Sequence, residues 1–418
     1  MSGPLAGLKV LDLSRLLPGG FCSLLLADLG ADVLKVEDTG MGDYVRWSPP
    51  YVEGAEDSAR SALFLALNRN KRSIRLDLKT EGGREVLLRL AREHDVLLES
   101  FRPGVLDRLG VGYERLKREN PGLVWCAITG YGQNGPKRDA AGHDQNYLAL
   151  GGLLGLTGEA GGAPVQSAAQ IADVGGGALM AAVGILAALR ERDGAPGRPG
   201  SGEGQVVDVS MFDGALAFLA MTAAQTLLDG AAPQRGLLPL SGLFACYRPY
   251  ECKDGGWVAC GALEPKFWQA WCRGVGREDL AEQQFAAPGS DGVRAIEEVF
   301  RSRTRAEWEA FAAQHDCCVE PVLDLPDALD SELVSARRMV VELEQPGAAA
   351  PVKLLGLPIK LDRTPGDPAR APGPALGEHT DAVLAALGYG DDEVAALKAS
   401  GAVAAAAADG ARGAFLGG

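Results

Sequence analysis

Residues 9–37, KVLDLSRLLPGGFCSLLLADLGADVLKVE, decide the fold because they join two strand patterns through a helix pattern. The runs at 9–13 and 32–37 are short and apolar, as buried strands are. Residues 21–29 have helical spacing and stop at Gly30. Two strands joined by one helix run parallel, so this stretch predicts a doubly wound parallel sheet.

The same alternation of strand and helix patterns continues outward from this stretch. We predict strands at 73–78, 96–99 and 123–129 and helices at 80–93, with Thr80 as N-cap, and 105–119. Further helical patterns and one change of character follow: helices at 171–191 and 211–228, a Gly/Pro loop at 193–204, and strands then an aromatic helix at 240–276. The prediction is an α/β fold with a Rossmann-like large domain and a small α+β domain.

Length and charge limit the classes of function. The chain has 418 residues, more than one core usually holds, so two domains are expected. Its 41 Lys and Arg against 55 Asp and Glu give a net charge of −14. That balance argues against nonspecific nucleic-acid binding and against docking on anionic membranes, but it permits a local basic pocket.

The apolar and cysteine patterns predict a cytoplasmic protein without membrane spans. The longest apolar run, VGGGALMAAVGILAAL at 174–189, is shorter than the ~20 residues that cross a bilayer, so we expect a buried helix. No signal-peptide pattern stands in the first residues. Eight scattered cysteines without a C-x-x-C pair, and only four histidines, predict reduced thiols and no metal site.

A glycine loop and the histidine after it are candidate site elements. Residues 130–135, GYGQNG, match G-x-G-x-x-G, but Pro136 follows where a helix should start. This context disfavours NAD or FAD and favours a tight loop beside a ligand. The next segment, GHDQNY, carries His143, which from the residues alone is either structural or catalytic.

Asp173, Glu264 and several arginines each have two interpretations. Asp173 precedes three glycines and an apolar helix, so it either caps that helix or faces an anion site at its end. Glu264 precedes a proline in a turn, where a solvated side chain is usual. The basic run at 68–72 with Arg102 and Arg108 is either solvated surface or a grip for several phosphates.

The ordered set of motifs resembles the family III CoA-transferases, and within them the racemase branch. The resemblance covers nearly the whole chain, except the final low-complexity stretch. The motifs are GPLAGLKVLDL (3–13), LLPGG (16–20), DLGADVLKVE (28–37), FRPG (101–104), GYGQNGP (130–136), AGHDQNY (141–147), GQVVDVSM (204–211), GALEPKF (261–267) and LGEHTD (376–381). One departure is Glu37-Asp38, where a basic residue often stands in the family.

The resemblance implies the roles of specific residues. The racemases carry a His in the G-H-D segment and an Asp ahead of a glycine-rich helix, here His143 and Asp173. Asp144 and Glu264 are implied at the same catalytic site. The implied contacts to CoA are Arg72, Arg102, Arg108, Leu16, Gly130, Tyr131 and Tyr147.

The resemblance also implies an architecture and a reaction. Each chain is expected to form a ring that interlocks with a second ring in a homodimer. The expected bounds are 1–203 for the large domain, 204–238 for a linker helix, 239–315 for the small domain, 316–342 for a second linker, and 343–418 for the return to the large domain. This last part is expected to end in a frayed, low-complexity tail. The expected activity is epimerisation of 2-methylacyl-CoA thioesters in fatty acid metabolism, with CoA only as part of the substrate and no other cofactor.

Two alternatives remain at this point. In the first, Asp173 is a nucleophile that moves CoA from an acyl-CoA to a carboxylic acid. In the second, the chain is an inactive CoA-binding or scaffolding protein, against which the pairing of His143 with Asp173 weighs.

Overall fold

A computed structural model describes residues 3–407, which divide into two compact units. The larger unit consists of residues 3–151, 168–218 and 332–407, and the smaller one of residues 152–167 and 219–331. The larger unit extends past the expected boundary at residue 203 and resumes at 332, before the expected 343.

The larger unit is built on a seven-stranded sheet in the order β14-β3-β2-β1-β4-β5-β8. Every pair is parallel except β14 with β3, and the central order 3-2-1-4-5 is that of the Rossmann fold. The predicted parallel, doubly wound sheet is therefore confirmed. The strands are β1 (Lys9–Asp12), β2 (Asp32–Glu37), β3 (Lys71–Leu76), β4 (Val96–Glu99), β5 (Val124–Thr129), β6 (Gly194–Ala195), β7 (Arg198–Pro199), β8 (Val206–Ser210), β9 (Tyr247–Glu251), β10 (Trp257–Gly261), β11 (Val319–Pro321), β12 (Val340–Leu343), β13 (Val352–Leu355) and β14 (Val403–Ala404).

Helices connect these strands along the described chain. The α-helices are Leu16–Asp28, Ala62–Asn68, Glu81–Arg92, Val105–Arg108, Tyr113–Glu119, Asp144–Leu150, Leu153–Leu156, Met180–Asp193, Met211–Ala217, Ala220–Asp229, Pro265–Gly274, Asp291–Phe300, Arg305–Ala312, Leu325–Leu329, Glu332–Ala336, Thr380–Ala386 and Asp391–Ala399. A π-helix spans Ile171–Leu179, and 3₁₀ turns span Tyr44–Trp47, Asp57–Ala59 and Glu278–Gln283. As predicted, Thr80 is an N-cap, since its hydroxyl accepts the Gly83 N–H at 3.1 Å.

Three local expectations were wrong. The helix expected at 105–119 is two helices, because Gly110, with φ +79°, ends the first one in the left-handed region. The linker helix expected at 204–238 begins instead with β8, whose Val206 pairs with Trp125 of β5. The tail is partly structured, since β14 adds an antiparallel strand to β3, while its residues 408–418 lie outside the described residues.

The smaller unit has a three-stranded antiparallel sheet, β11-β10-β9, covered by helices, as the α+β expectation required. Its core is unusually aromatic. Trp268 stacks on Trp271 with ring centroids 4.8 Å apart, and Phe300 stacks on Tyr250 at 4.2 Å. Large aromatic rings bury much apolar area per residue, which suits a small core.

By length and composition, Ile171–Asp193 could cross a bilayer, and so could Met211–Ala217 with Ala220–Asp229 if the two are counted as one span. Core helices of globular proteins pass the same test. Residues 171–193 pack along the large sheet at β5 and β8, and along helix Leu16–Asp28. The run is buried on that side only, since Val183 on the other side is 65% exposed.

Candidate active site

A cleft of about 1080 Å³ opens at the carboxyl ends of β1, β4 and β5 in the larger unit. The strand order reverses between β1 and β4, and ligands of doubly wound sheets bind at that reversal. Most of the lining is apolar and comes from Leu13, Leu16, Leu17, Pro18, Val45, Leu63, Ala66, Leu67, Phe101, Ile128 and Met211. Polar side chains lie among these residues and include Arg15, Arg102, Arg138, His143 and Asp173.

Asp173 lines the cleft from the first turn of the π-helix. It is not the N-cap that the sequence offered as one alternative, because Gln170 holds that position. The backbone N–H of Asp173 donates to Oδ1 of Asp144 at 2.9 Å. Burial raises the pKa of Asp173 to about 6, the Asp144 carboxylate adds to the rise, and His143 opposes it.

His143 lines the same cleft and is the N-cap of helix Asp144–Leu150. Its backbone N–H donates to Oδ1 of Asn146 at 3.0 Å, so the start of the helix is fixed at the cleft. His143 is exposed, whereas Asp173 is half-buried. The two groups that the sequence paired thus meet in one cleft but in different surroundings.

Two tyrosines explain the glycines of the neighbouring loops. The Tyr147 hydroxyl donates to the Gly142 carbonyl at 2.6 Å, and its ring meets that of Tyr131 edge-on at 5.1 Å. A Cβ on Gly130 or on Gly142 would lie 2.7 Å from the Tyr147 ring. Gly130 and Tyr147 line the cleft, while Tyr131 packs behind Tyr147 outside the lining. The loop is therefore tight and beside the cleft, as predicted.

Arginines gather at one part of the cleft. Arg102 and Arg138 line it. A Cβ on Gly104 would lie 3.3 Å from Nη2 of Arg138 and 3.4 Å from Nη1 of Arg108. Arg108 is outside the lining itself but is exposed close beside it. Two guanidinium groups beside Gly104, together with Arg102 of the lining, form a local positive patch in an acidic chain.

Other predicted site residues lie elsewhere. Arg72 lines a separate cavity of about 460 Å³ at the amino ends of β2 and β3, where it pairs with Asp32 at 2.7 Å. Glu264 belongs to the smaller unit, where it is the exposed N-cap of helix Pro265–Gly274. Leu16, by contrast, lies in the cleft as the resemblance implied.

The departure at Glu37-Asp38 has a structural explanation. Glu37 is buried and forms a two-fold hydrogen-bonded ion pair with Arg46, at 2.8 and 2.6 Å. Asp38 pairs with Arg15, which lines the cleft. These two acids therefore bind arginines of their own chain.

The glycine run after Asp173 serves packing and not ligand approach. A Cβ on Gly176 would lie 2.8 Å from the backbone of Ala215 and Met211, and one on Gly175 would lie 2.8 Å from the Phe218 ring. The π-helix therefore lies backbone to backbone on helix Met211–Ala217 and the residue after it. Such π-helical turns are frequent at functional sites.

Sequence reasoning assigned no role to seven polar lining residues, which are Arg15, Tyr44, Ser100, Thr129, Arg138, Asn146 and Gln170. Arg15 had a usable signal, since it comes soon after β1 at the position where a doubly wound sheet binds ligands. Met211 adds apolar surface to the same lining.

The cysteines and acidic side chains supply no obvious metal ligand set. All eight cysteines are free thiols, and seven are buried. Within residues 3–407, no group of three or more His, Cys, Asp or Glu side chains is arranged to hold a metal ion.

Comparison with known proteins identifies relatives along almost the whole chain. The sequence profile described as "CoA-transferase family III" matches residues 5–380. The chain is 37% identical to the alpha-methylacyl-CoA racemase of Mus musculus over 94% of its length and 96% of the relative's. It is 35% identical to the succinyl-CoA:mesaconate CoA-transferase of Haloarcula hispanica, over 93% and 97%. A CAIB/BAIF family protein from Brucella suis superposes with a TM-score of 0.77 at 33% identity, covering 93% of this chain and 100% of that one.

Proposed function

The chain belongs to CoA-transferase family III, and we propose that it epimerises 2-methylacyl-CoA thioesters at the α-carbon. The observation that carries the proposal is that His143 and Asp173, two proton carriers on different helices, line one cleft. Similarity to mammalian racemases over most of the chain supports the same activity.

The proposed reaction moves one proton off the α-carbon and another onto its opposite face. One base takes the α-proton, and the electron pair of the C–H bond moves into an enolate whose charge lies on the thioester oxygen. The conjugate acid of the second group then protonates the other face, which leaves the two groups with exchanged protonation states. Bases for this task work best with pKa values near neutral, and a pKa of about 6 brings Asp173 into that range.

Asp144 acts in this proposal as an orienting and tuning group. Its Oδ1 accepts the Asp173 N–H, so that N–H is committed and does not face an enolate oxygen. Its negative charge is the second cause of the raised pKa of Asp173, and burial is the larger one. Glu264 remains proposed as a further tuning group, as the resemblance implied.

The proposed CoA grip is the arginine patch. Arg102, Arg108 and Arg138 offer forked donors that match phosphate oxygens, and the apolar lining of the cleft would take the acyl chain. The reaction as proposed moves only protons, so CoA enters as part of the substrate and no metal, flavin or nicotinamide is required.

The rival function is CoA transfer, which relatives such as the succinyl-CoA:mesaconate CoA-transferase represent. Asp173 would then attack the thioester carbonyl, forming a mixed anhydride and releasing the CoA thiolate. That chemistry uses the carboxylate alone and leaves His143 without a role. Racemisation uses both groups, and for that reason we favour it.

The test is deuterium uptake from heavy water into each pure enantiomer of a 2-methylacyl-CoA, without added carboxylic acid. The wild-type enzyme is expected to exchange the α-hydrogen and lose optical purity. His143→Ala and Asp173→Asn should each stop racemisation, yet exchange opposite enantiomers through the remaining base. CoA transfer to an added acid, with the α-hydrogen retained, would establish the rival function instead.

Two further parts of the proposal concern assembly and location. An interlocked homodimer is expected to sediment at twice the mass of the chain. A cytoplasmic location is favoured by the eight free cysteines, because a reducing compartment keeps thiols unpaired.

A further inference from the structure

The segment between β1 and helix Leu16–Asp28 both lines the cleft and is held by buried charges. Leu13, Arg15 and Leu16 of this segment are lining residues. The ammonium of Lys35 and the carboxylate of Asp43 lie beneath it, 3.0 Å apart, and neither side chain is exposed at all.

Leu16 has a backbone conformation that leucine avoids. Its φ is +58°, in the left-handed region, where Cβ crowds the following carbonyl. Its N–H points to the Asp43 carboxylate, at 3.2 Å from Oδ2 and 3.4 Å from Oδ1. Strained residues of this kind persist only where surrounding groups hold them.

Lys35 holds the other end of the same connection. Its Nζ donates to the Ser14 carbonyl at 2.9 Å while pairing with Asp43. Burial disfavours the ammonium, but Asp43 and Asp12 outweigh burial and place the pKa of Lys35 above its ordinary value. The Lys35–Asp43 pair thus binds the backbone on both sides of Arg15, at the Ser14 carbonyl and at the Leu16 N–H.

A second buried pair fixes the start of the segment. Oδ1 of Asp12 accepts the Ser14 N–H at 2.9 Å, and Oδ2 lies 3.2 Å from Nζ of Lys71. Gly19 leaves the space that Ser14 occupies, since a Cβ there would overlap it. Contacts below the cleft therefore help to set the conformation of residues 12–16.

We propose that the Lys35–Asp43 pair is a positioning element of the cleft, which holds Leu16 and its neighbours in their strained conformation against the bound acyl-CoA. A buried ion pair adds little stability compared with apolar side chains of similar volume, so a role in shaping the cleft gives it a reason to be there. The inference rests on the proposed function only in taking an acyl-CoA as the ligand.

The same unit supplies a matched control. Asp28 and Arg69 form an equally buried ion pair, with Nη2 and Oδ2 2.7 Å apart and side chains 1% and 2% exposed. Neither residue lines the cleft. Asp28 also accepts from the Asn70 amide at 2.7 Å, so both acids have several partners to lose.

The first experiment compares Asp43→Asn with Asp28→Asn. Thermal unfolding is expected to show a lower Tm for both. Asp43→Asn should also lower kcat/KM for α-hydrogen exchange by about 10- to 100-fold, because small displacements of positioning groups carry costs of that order. Asp28→Asn should change kcat/KM by less than about 3-fold, as expected for a change away from the site. Equal losses for the two variants would overturn the proposal.

The second experiment removes the strain. Glycine adopts a positive φ at little cost, so residue 16 of the Leu16→Gly variant does not need Asp43 to hold it in that conformation. In a Leu16→Gly background, Asp43→Asn should lower kcat/KM by less than about a third of the factor by which it lowers kcat/KM in the wild-type background. A double-mutant cycle measures this coupling. An unchanged loss would show that Asp43 does not act through Leu16.

Two further measurements keep the inference testable. If Asp43→Asn does not fold, Asp43→Glu retains the charge and shifts the carboxylate by one methylene, and its kcat/KM should still fall. If the wild-type enzyme binds a 2-methylacyl-CoA without exchanging its α-hydrogen, the proposed function fails. The same variants are then compared by calorimetric Kd, where an equal Kd for Asp43→Asn and Asp28→Asn overturns the positioning role separately.

Discussion

Replacing Asp144 by Asn should move the pH dependence of catalysis in a defined direction. The amide retains an oxygen that can accept the Asp173 N–H, so the orientation seen at 2.9 Å can persist. The negative charge is lost, and with it one of the two causes that raise the pKa of Asp173. Asp144→Asn should therefore lower the pKa of Asp173 toward its ordinary value.

The structure bounds the size of this shift. The pKa of Asp173 rises from 3.8 to about 6, roughly 2 units, which is about 3 kcal/mol between its protonated and charged forms. Burial is the largest cause and Asp144 the second. Because His143 opposes both, these two rises together exceed the net rise, and the share of Asp144 is the smaller of the two.

The assay is α-deuterium exchange from the enantiomer that uses Asp173 as its base, measured as kcat/KM from pH 4.5 to 8. Activity requires the carboxylate, so the acid limb should have its midpoint near 6 in the wild-type enzyme and lie at a lower pH in Asp144→Asn. Asp213→Asn, which removes an exposed carboxylate of the same unit, should leave the limb in place. A limb that moves upward, or moves equally in both variants, would refute the electrostatic coupling.

Three more predictions follow from the contacts. Arg102→Ala should weaken binding of a CoA ester by about 1–3 kcal/mol in a calorimetric titration. Arg72→Ala, which lies outside the cleft, should leave the binding free energy unchanged, and equal losses of binding free energy would contradict the proposed CoA contacts. Gly176→Ala should lower the free energy of unfolding in urea by about 1–3 kcal/mol, because its Cβ would lie 2.8 Å from backbone atoms. Gly155→Ala, where a Cβ meets open space, should leave that free energy unchanged. An unchanged free energy of unfolding for Gly176→Ala would show that the two helices can separate. Asp173→Asn should raise Tm above pH 6 but not at pH 3, because the folded-state pKa of about 6 lies above the ordinary 3.8 and makes the charged form destabilising as pH rises. The gain above pH 6 should be about 1–2 kcal/mol after solvent screening, and an equal gain at pH 3 would contradict this prediction.

The sheet and its connections were predictable because local patterns specify them. Residues 9–37 have the expected strand–helix–strand order, and β2 has the predicted bounds. A helix boundary was missed at Gly110, where one residue with positive φ ends a helix whose apolar spacing continues. Strand β8 was missed because its pairing with β5 joins residues about 80 positions apart, which no local pattern records.

The candidate site was predictable in its residue types but not in its distances. His143, Asp173, Gly130 and Tyr147 were named from motifs, and all four line one cleft. The resemblance also implied a CoA contact for Arg72, which instead pairs with Asp32 at the opposite end of the strands. Whether a basic residue lies at the cleft cannot be told from the sequence until the order of the strands in the sheet is known.

The unequal surroundings of His143 and Asp173 bear on the choice between racemase and transferase. A two-base racemase needs groups that exchange protons with the same carbon from opposite sides, and such groups must be close in proton affinity although they differ chemically. An ordinary aspartate is far more acidic than imidazole, so unassisted it would hold a proton too weakly. Burial and the charge of Asp144 raise the pKa of Asp173 to about 6, near the neutral range in which proton-transferring bases work best. A nucleophilic carboxylate has no need of a raised pKa, whereas a carboxylate that shares proton transfer with His143 does.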